Sequence, residues 1–417
     1  MAIVKIISLI VFFLLVFYTK IDAQKNEEES FFISDIQIDK DKSESLMLEI
    51  DNLNFFKNNE YDGDVIKGYT LPGFRLIPRL IYFPNDRVKL ELGASMLRYW
   101  GADKYPNYTY QEIPPWKPDD YQYGFHILPI FRVQVRPMDQ LNIILGSIYG
   151  GSNHRLITPL YDPSLQLMAD PENGAQLLLD SRFLSLDTWI NWESFIYEND
   201  NHNEAFTVGL SSQIKLTNPN STFSLNIPLQ GVFVHRGGEI DSVDGGVYSL
   251  VNLATGLSSK YKWGNNKHIS LDLMGLSFRE FGQSESVTED LEKTDIDQEG
   301  WALYAKLGIK YDALQLNFGF WRSDKFMSLF GNPIFGNYSR ALKGRSFDKH
   351  DTYTSSLSYE HPFGNNIHMG ADIDLYYSPK LMAYDDRSIF LVKESKSFNY
   401  SFGIYIRVNP SIMLKKF

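Results

Sequence analysis

Residues 398–408, with the sequence FNYSFGIYIRV, decide the fold. Apolar or aromatic side chains at every second position from 398 to 408 alternate with Asn399, Ser401, Gly403 and Arg407. Such a period of two is typical of a β-strand with one apolar and one polar face. The same alternation recurs at 122–136, 204–217 and 366–377, and no helical period of comparable length is present in the sequence. The sequence therefore predicts an all-β chain built from long strands.

The connections between these strands alternate in length. Short stretches rich in Gly, Pro, Asn and Asp predict tight turns at 84–87, 137–140, 217–221, 264–267, 311–313 and 363–365. Long polar loops are predicted between them, at 101–121, 150–174, 280–298, 323–349 and 379–395. Short periplasmic turns and long outer loops are typical of a transmembrane β-barrel.

Sixteen strands satisfy this alternation. They are predicted at 45–56, 68–83, 87–100, 122–136, 140–149, 174–180, 183–193, 204–217, 221–236, 246–262, 267–279, 299–311, 312–322, 350–361, 366–378 and 397–408. The strands at 45–56 and 174–180 are weak, so fourteen strands are the alternative. An even number keeps both termini on the periplasmic side, and a closed ring leaves no strand edge in lipid. The predicted fold is an antiparallel up-and-down transmembrane barrel.

Composition narrows the possible classes of function. The chain has 417 residues, no cysteine and a formal net charge of −11. Without cysteine there is no disulfide framework, no Cys-based zinc site and no thiol nucleophile. The acidic balance argues against nucleic-acid binding, which needs a basic face. A content of aromatic residues of 15% suits an all-β protein.

The N-terminus carries a targeting segment. Lys5 precedes an apolar run at 6–17, and Ala23 supplies a small residue for cleavage before Gln24. This order is typical of a cleavable secretory signal peptide, since a transmembrane anchor needs roughly twenty apolar residues. We expect a signal peptide at 1–23, an acidic periplasmic lead-in at 24–44 and the barrel at 45–417.

Taken together, these features resemble those of Gram-negative outer-membrane barrels and are similar to uncharacterised barrels of Bacteroidota. The resemblance rests on Ala23 and Gln24 after the signal, on the alternating strands, and on an aromatic last strand that precedes the final Phe417. It implies that Tyr400, Phe402 and Phe417 form the signal read by the barrel-assembly machinery. Residues 409–416 separate the last clean strand from Phe417, so either the strand continues or the signal is atypical. The implied location is the outer membrane, with outer-membrane lipid as a partner.

The polar phase of the strands predicts the lining of the lumen. The candidate pore-lining residues are Arg75, Arg79, Arg132, Arg136, Asp187, Lys215, Lys306, Asp372 and Asp374. Basic residues are in excess on this face, which favours a polar channel with a weak preference for anions. The alternative is that these charges pair with one another and only hold the barrel together.

A loop is expected to narrow this lumen. The loop at 150–174 mixes leucine and isoleucine with Asn153, His154 and Arg155, and early glycines would let it fold back sharply. We expect these three residues at a constriction inside the barrel. The loop at 323–349 is the other candidate, and an outer lid made by both loops is the alternative.

Catalytic patterns are not evident in the sequence. It contains neither G-x-S-x-G nor H-E-x-x-H, and serines predicted to face lipid, at 147, 212, 249 and 355, have no evident histidine partner. We therefore expect a protein that is not an enzyme and has no cofactor: a porin-like channel for passive passage of small polar solutes. The alternative is a barrel that anchors or scaffolds an assembly with other outer-membrane proteins. Calcium binding by the acidic loop at 280–298 stays open.

Overall fold

The computed structural model describes residues 34–100, 126–197, 203–218, 221–238, 247–282, 298–342, 344–385 and 391–417. The expected signal peptide and residues 24–33 of the lead-in lie outside these ranges. The predicted loop at 101–121 and most of the acidic loop at 280–298 also lie outside them. In the described residues, no helix is long and apolar enough to cross a membrane.

In the described part of the chain, eighteen strand segments make up the sheet. Their bounds are β1 (Ser45–Asp62), β2 (Lys67–Asn85), β3 (Val88–Tyr99), β4 (His126–Met138), β5 (Leu141–Ser147), β6 (Asn173–Asp180), β7 (Leu184–Ser194), β8 (Ala205–Lys215), β9 (Phe223–Arg236), β10 (Tyr248–Gly264), β11 (Lys267–Gly282), β12 (Glu299–Tyr311), β13 (Leu314–Asp324), β14 (Arg345–Phe347), β15 (His350–Pro362), β16 (Ile367–Asp385), β17 (Lys393–Val408) and β18 (Ser411–Lys416). Because β14 only adds to β16 and β18 continues β17 along β1, the wall has sixteen strands.

The wall closes on itself. Each strand pairs antiparallel with its neighbours in sequence, and β1 pairs with β2 on one side and with β17 and β18 on the other. The predicted sixteen-stranded antiparallel barrel is therefore confirmed, and the fourteen-stranded alternative is wrong. A closed barrel with an outward apolar belt is the architecture of outer-membrane proteins, which supports that location for this chain.

Several strands are longer than the alternation predicted. The strand β1 runs on to Asp62, and β16 runs on to Asp385, so most of the loop predicted at 379–395 is strand. Beyond residue 378, the inward Leu381 and Ala383 pack against Val65 and Phe347. These apolar contacts with β14 and with the turn between β1 and β2 stabilise the strand ends where sequence periodicity is weakest.

The C-terminal strand continues to the end of the chain. Pro410 has no N–H for the ladder, so pairing is interrupted there, and β18 then resumes pairing with β1. The backbone N–H of Phe417 donates to the carbonyl of Glu44 at 2.7 Å, and its ring meets Tyr82 edge-on at 5.8 Å between centroids. Of the two possibilities left open by the sequence, the strand continues.

Two loops fill part of the lumen. The loop between β5 and β6 contains the 3-10 helices Gly151–His154 and Pro163–Leu167, and the loop after β13 contains Pro333–Phe335. The two loops meet in a bridge between Tyr161 and Phe330. They share one buried apolar cluster with inward residues of the wall, including Leu250 and Trp321. We call these two loops the plug loops.

The end of the lead-in also lies inside the barrel. The backbone N–H of Ser34 donates to Asn153, while the carbonyls of Ile36 and Ile38 accept from Gln134 and Arg136. Ile38 is buried in an apolar cluster on the inner side of β1 and β2. The segment 34–38 therefore enters the lumen from the periplasmic end and reaches the first plug loop.

Candidate active site on the lipid-facing wall

A serine and a histidine lie side by side on the outer surface of the barrel. His235 of β9 and Ser249 of β10 are directly opposite in the antiparallel register, and Nδ1 of the histidine is 2.8 Å from Oγ of the serine. Their strand neighbours, including Val234 and Leu250, are buried in the lumen. Because side chains alternate along a strand, His235 and Ser249 face lipid. We call this pair the dyad.

The dyad stands at the outer edge of the membrane. Phe223 of β9 and Tyr261 of β10 form an exposed aromatic pair near the periplasmic turns. His235 is twelve residues along β9 from Phe223. At about 3.3 Å per residue and a tilt of about 40°, this corresponds to roughly 30 Å of height. Since the apolar band of a barrel is about 25 Å tall, the dyad lies at the level where acyl chains join lipid headgroups.

Aromatic side chains surround the dyad. The ring of Phe206 on β8 lies 4.7 Å from the His235 ring, and Trp192 stacks on Phe206 at 5.0 Å. Phe233 lies 6.2 Å from His235, and Phe281 of β11 is opposite Ser249 and exposed. These rings form an apolar surface beside Ser249 against which a hydrocarbon chain can pack.

The geometry of the dyad suits nucleophilic catalysis. With the histidine proton on Nε2, Nδ1 can accept the hydroxyl proton as the serine oxygen attacks a carbonyl carbon. In the described ranges, no carboxylate contacts Nε2 of His235. The positive charge that His235 gains would be stabilised by the face of Phe206, because its centroid is within the range of cation–π attraction.

The sequence-based statement that Ser249 has no histidine partner is wrong. Its partner is fourteen residues away on the preceding strand, so the pair depends on the register between β9 and β10, which the sequence pattern does not specify. Two other serines that the sequence predicts to face lipid, Ser147 and Ser212, are buried and make different contacts. The hydroxyl of Ser147 donates to Asn173, and that of Ser212 donates to the carbonyl of Leu229.

The candidate pore-lining residues are engaged in close contacts. Glu91 on β3 has no exposed side-chain surface and lies 2.9 Å from Lys89, 2.9 Å from Arg132 and 3.4 Å from Arg79. Oε1, the oxygen that Lys89 contacts, also accepts from the hydroxyl of Tyr149 at 3.2 Å. Three cations thus surround one carboxylate at the inner wall.

The remaining candidates for the pore lining are also partnered. Asp372 and Asp374 contact Lys57, Lys306 contacts Asp272, and Lys215 contacts Asp180. Arg75 donates to the carbonyl of Ala169, and Arg136 donates to those of Ile38 and Asp86. Charges that are paired this closely favour the second alternative from the sequence, in which they hold the barrel together. Here they join the wall to the plug loops and to the lead-in.

The first plug loop brings His154 between two carboxylates. Its Nδ1 is 2.8 Å from Asp187 and its Nε2 is 3.1 Å from Glu172, and its ring stacks on Trp189 at 3.3 Å. Burial alone would lower the pKa of His154, but Glu172 and Asp187 raise it to about 9. Asn153 is buried nearby, whereas Arg155 is exposed.

Among the described residues, no cluster of three or more His, Asp or Glu side chains could hold a metal ion. The candidate calcium loop at 280–298 lies mostly outside this part of the chain.

Tyr400 and Phe402 of the proposed assembly signal lie on the lipid face of β17, where Phe402 meets Phe56 at 6.1 Å between centroids.

Comparison with known proteins identifies a family. The family model described as lipid A 3'-O-deacylase-type matches residues 38–417. Solved structures to which the chain is similar include OpdK of Pseudomonas aeruginosa, with 10% identity, a TM-score of 0.46 and coverage of 88% of this chain and 99% of that one. OmpT of Vibrio cholerae has 12% identity, a TM-score of 0.44 and coverage of 88% and 97%. OccAB3 of Acinetobacter baumannii has 11% identity, a TM-score of 0.43 and coverage of 88% and 99%. No curated protein matches the sequence.

The family match corrects one expectation from the sequence. We expected a barrel that is not an enzyme, and that expectation is wrong, because the matching family is described by a deacylase activity. The physical reason for the error is that His235 and Ser249 become neighbours only through the register between two strands, which the sequence pattern does not specify. A dyad split between two strands leaves no local motif.

Proposed function

Because the chain belongs to the lipid A 3'-O-deacylase-type family, we propose that it hydrolyses an ester-linked acyl chain of lipid A at the dyad. The observation that carries this proposal is the 2.8 Å contact between Ser249 Oγ and His235 Nδ1 on the lipid-facing surface. An ester between a sugar hydroxyl and an acyl chain lies at the boundary between headgroup and hydrocarbon. The height of the dyad matches that boundary.

The reaction would take place in two steps. Ser249 Oγ attacks the acyl carbonyl carbon while its proton moves to Nδ1 of His235. The bond between the carbonyl carbon and the sugar oxygen breaks, and His235 returns the proton to that oxygen. Water then attacks the acyl-serine with His235 as the base, which releases the fatty acid and restores the hydroxyl.

The lumen offers weaker support for the other functions. Passive passage of polar solutes needs a continuous aqueous path, whereas the plug loops bury an apolar cluster against the inner wall. The lipid-facing site is therefore the better supported one.

A direct test is to replace the nucleophile. Full-length protein in detergent micelles is incubated with lipid A, and the products are followed by mass spectrometry. The wild type should remove one acyl chain, and Ser249→Ala should lower the rate by about a thousandfold or more, as expected when the nucleophile of a hydrolase is lost.

Ser212→Ala is the matched control, because Ser212 lies in the lipid-facing phase of β8 but its hydroxyl is covered and bonds to a backbone carbonyl. This variant should keep the wild-type rate. The proposal is wrong if Ser249→Ala, folded as shown by its heat-dependent mobility on gels, deacylates lipid A at the wild-type rate. It is also wrong if the wild type releases no fatty acid from lipid A.

A further inference from the structure

An arginine lies on the lipid-facing wall next to the dyad. Arg279 of β11 is directly opposite Val251 of β10, and Phe281, two residues further along β11, is directly opposite Ser249. Positions 279, 281, 249 and 251 share the lipid-facing phase of the two strands. Arg279 and Ser249 are therefore diagonal neighbours on one face of the sheet, with Cβ atoms roughly 7–8 Å apart or slightly less.

The guanidinium of Arg279 points toward the outer end of the barrel. Its Cζ lies 5.3 Å from the ring centroid of Phe281, which is nearer to the outer rim. The apolar stem thus covers the wall while the charged group reaches the level of the dyad. The free-energy cost of an arginine on the lipid face is high at mid-bilayer and close to zero at the interface. An orientation toward the outer rim is therefore the favourable one.

The described residues leave this guanidinium without a carboxylate partner. Glu299 is opposite Arg279 in the register with β12, yet no carboxylate of the described residues lies within salt-bridge distance of it. Arg322 of β13 shows the contrast. It also faces lipid near the outer end of its strand, but it binds Asp351 through two hydrogen bonds of 2.6 and 2.7 Å.

Arg279 can reach the substrate beside the ester. Its long side chain spans the separation between diagonal neighbours on a sheet, and its guanidinium lies against Phe281, which is directly opposite Ser249. It therefore suits a charged substituent on the sugar next to the ester. Arginine matches the geometry of a phosphate through two parallel hydrogen bonds.

We propose that Arg279 binds a phosphate of the lipid A headgroup and so orients the ester toward Ser249. This inference rests on the proposed function of the dyad and adds the recognition of the substrate. Arg279 is a binding and specificity residue for a phosphorylated, acylated sugar. The aromatic side chains hold the acyl chain, and the guanidinium fixes the headgroup.

The test measures binding separately from hydrolysis. Full-length Ser249→Ala protein in micelles, with Arg279 intact or replaced by Gln, is titrated with bisphosphorylated lipid A and with the same lipid after phosphatase treatment. Loss of Arg279 should weaken binding of the phosphorylated lipid about tenfold to a hundredfold, the usual range for a hydrogen bond to a charged group. It should leave binding of the dephosphorylated lipid within about twofold.

Two control variants make the result specific. Arg279→Lys keeps the charge but loses the fork of donors, so its affinity should fall between those of the wild type and Arg279→Gln. Arg322→Gln should leave binding unchanged. Vesicles of phosphatidylcholine with phosphatidylglycerol serve as competitor, and weak competition is expected if the sugar phosphate is the ligand.

The outcomes distinguish this proposal from that of the dyad. Equal loss of affinity for both forms of lipid A, or no loss for either, would overturn the assignment of Arg279, as would equally strong competition by phosphatidylglycerol. Binding that depends on Arg279 in a wild type that releases no fatty acid would support Arg279 and reject the hydrolysis. Hydrolysis that is unaffected by Arg279→Gln at low lipid concentration would support hydrolysis at the dyad and reject the role of Arg279.

Discussion

The buried carboxylate of Glu91 provides a quantitative test of what the charges in the lumen do. We consider Glu91→Gln, which keeps the shape of the side chain and removes its charge. Lys89 and Arg132 then lose their carboxylate partner while Arg79 retains Glu49, and none of these three cations has more than 15% of its side chain exposed. Removing one partner of a buried ion pair typically costs about 3–5 kcal/mol. We expect a loss of that size in the free energy of unfolding.

Glu49→Gln is the matched control. Glu49 is 26% exposed and contacts one of the same cations, Arg79, at 3.2 Å. A pair this close to water contributes little, so the expected loss is about 0–1 kcal/mol. Both variants keep a side chain of the same size in the same inner wall, so the difference between them reports the buried cluster.

Unfolding in urea from lipid vesicles is measured by tryptophan fluorescence and by gel mobility. A second substitution strengthens the test: Lys89→Met in the Glu91→Gln background removes one surplus cation and should recover part of the loss. If Glu91→Gln is as stable as Glu49→Gln, or if Lys89→Met lowers its stability further, the reasoning that these charges stabilise the barrel as a cluster is refuted. A merely pore-lining carboxylate would give that result.

Two further predictions concern the plug and the C-terminus. The pKa of His154 is raised to about 9 in the folded protein, so its contribution to stability should be complete below its ordinary pKa of about 6.5 and lost as pH rises through 9. The difference in the free energy of unfolding between wild type and His154→Gln should therefore shrink from pH 6 to pH 10. Phe417→Ser should sharply reduce the assembled fraction in cells, while the lost contact with Tyr82 costs only about 0.5–1.5 kcal/mol. Phe363→Ser, also exposed at the periplasmic end, is the control and should assemble normally. Equal assembly of both variants would show that Phe417 is not a signal.

The sequence predicted the wall of the barrel because each strand carries its own signal. Alternation at 398–408 reflects an outward face in lipid and an inward face in the lumen, and both are local properties of one strand. Turn residues near 264–267 likewise act locally. All sixteen strands were therefore found, although the ends of β1 and β16 were not, because contacts between distant segments stabilise them.

The candidate site depended on information of another kind. The contact between His235 and Ser249 exists only in the register that pairs β9 with β10, and a shift by one residue would turn one of them into the lumen. One signal was available: both residues are polar in a phase that otherwise faces lipid, at the outer end of their strands. Lipid-facing polar residues are costly, and asking which of them become neighbours across strands would have drawn attention to this pair.

The filled lumen and the site on the outer surface are parts of one arrangement. Gln230 of β9 binds the first plug loop, accepting from the N–H of Ile157 and donating to the carbonyl of Arg155. Asn252 of β10 binds the second, donating to the carbonyl of Met327 and accepting from the N–H of Leu329. Each strand that carries one residue of the dyad is thus held by hydrogen bonds to one plug loop on its lumen side. A dyad in contact with fluid lipid gets no support from its outer side, so the rigidity that holds Ser249 and His235 in register must come from the lumen.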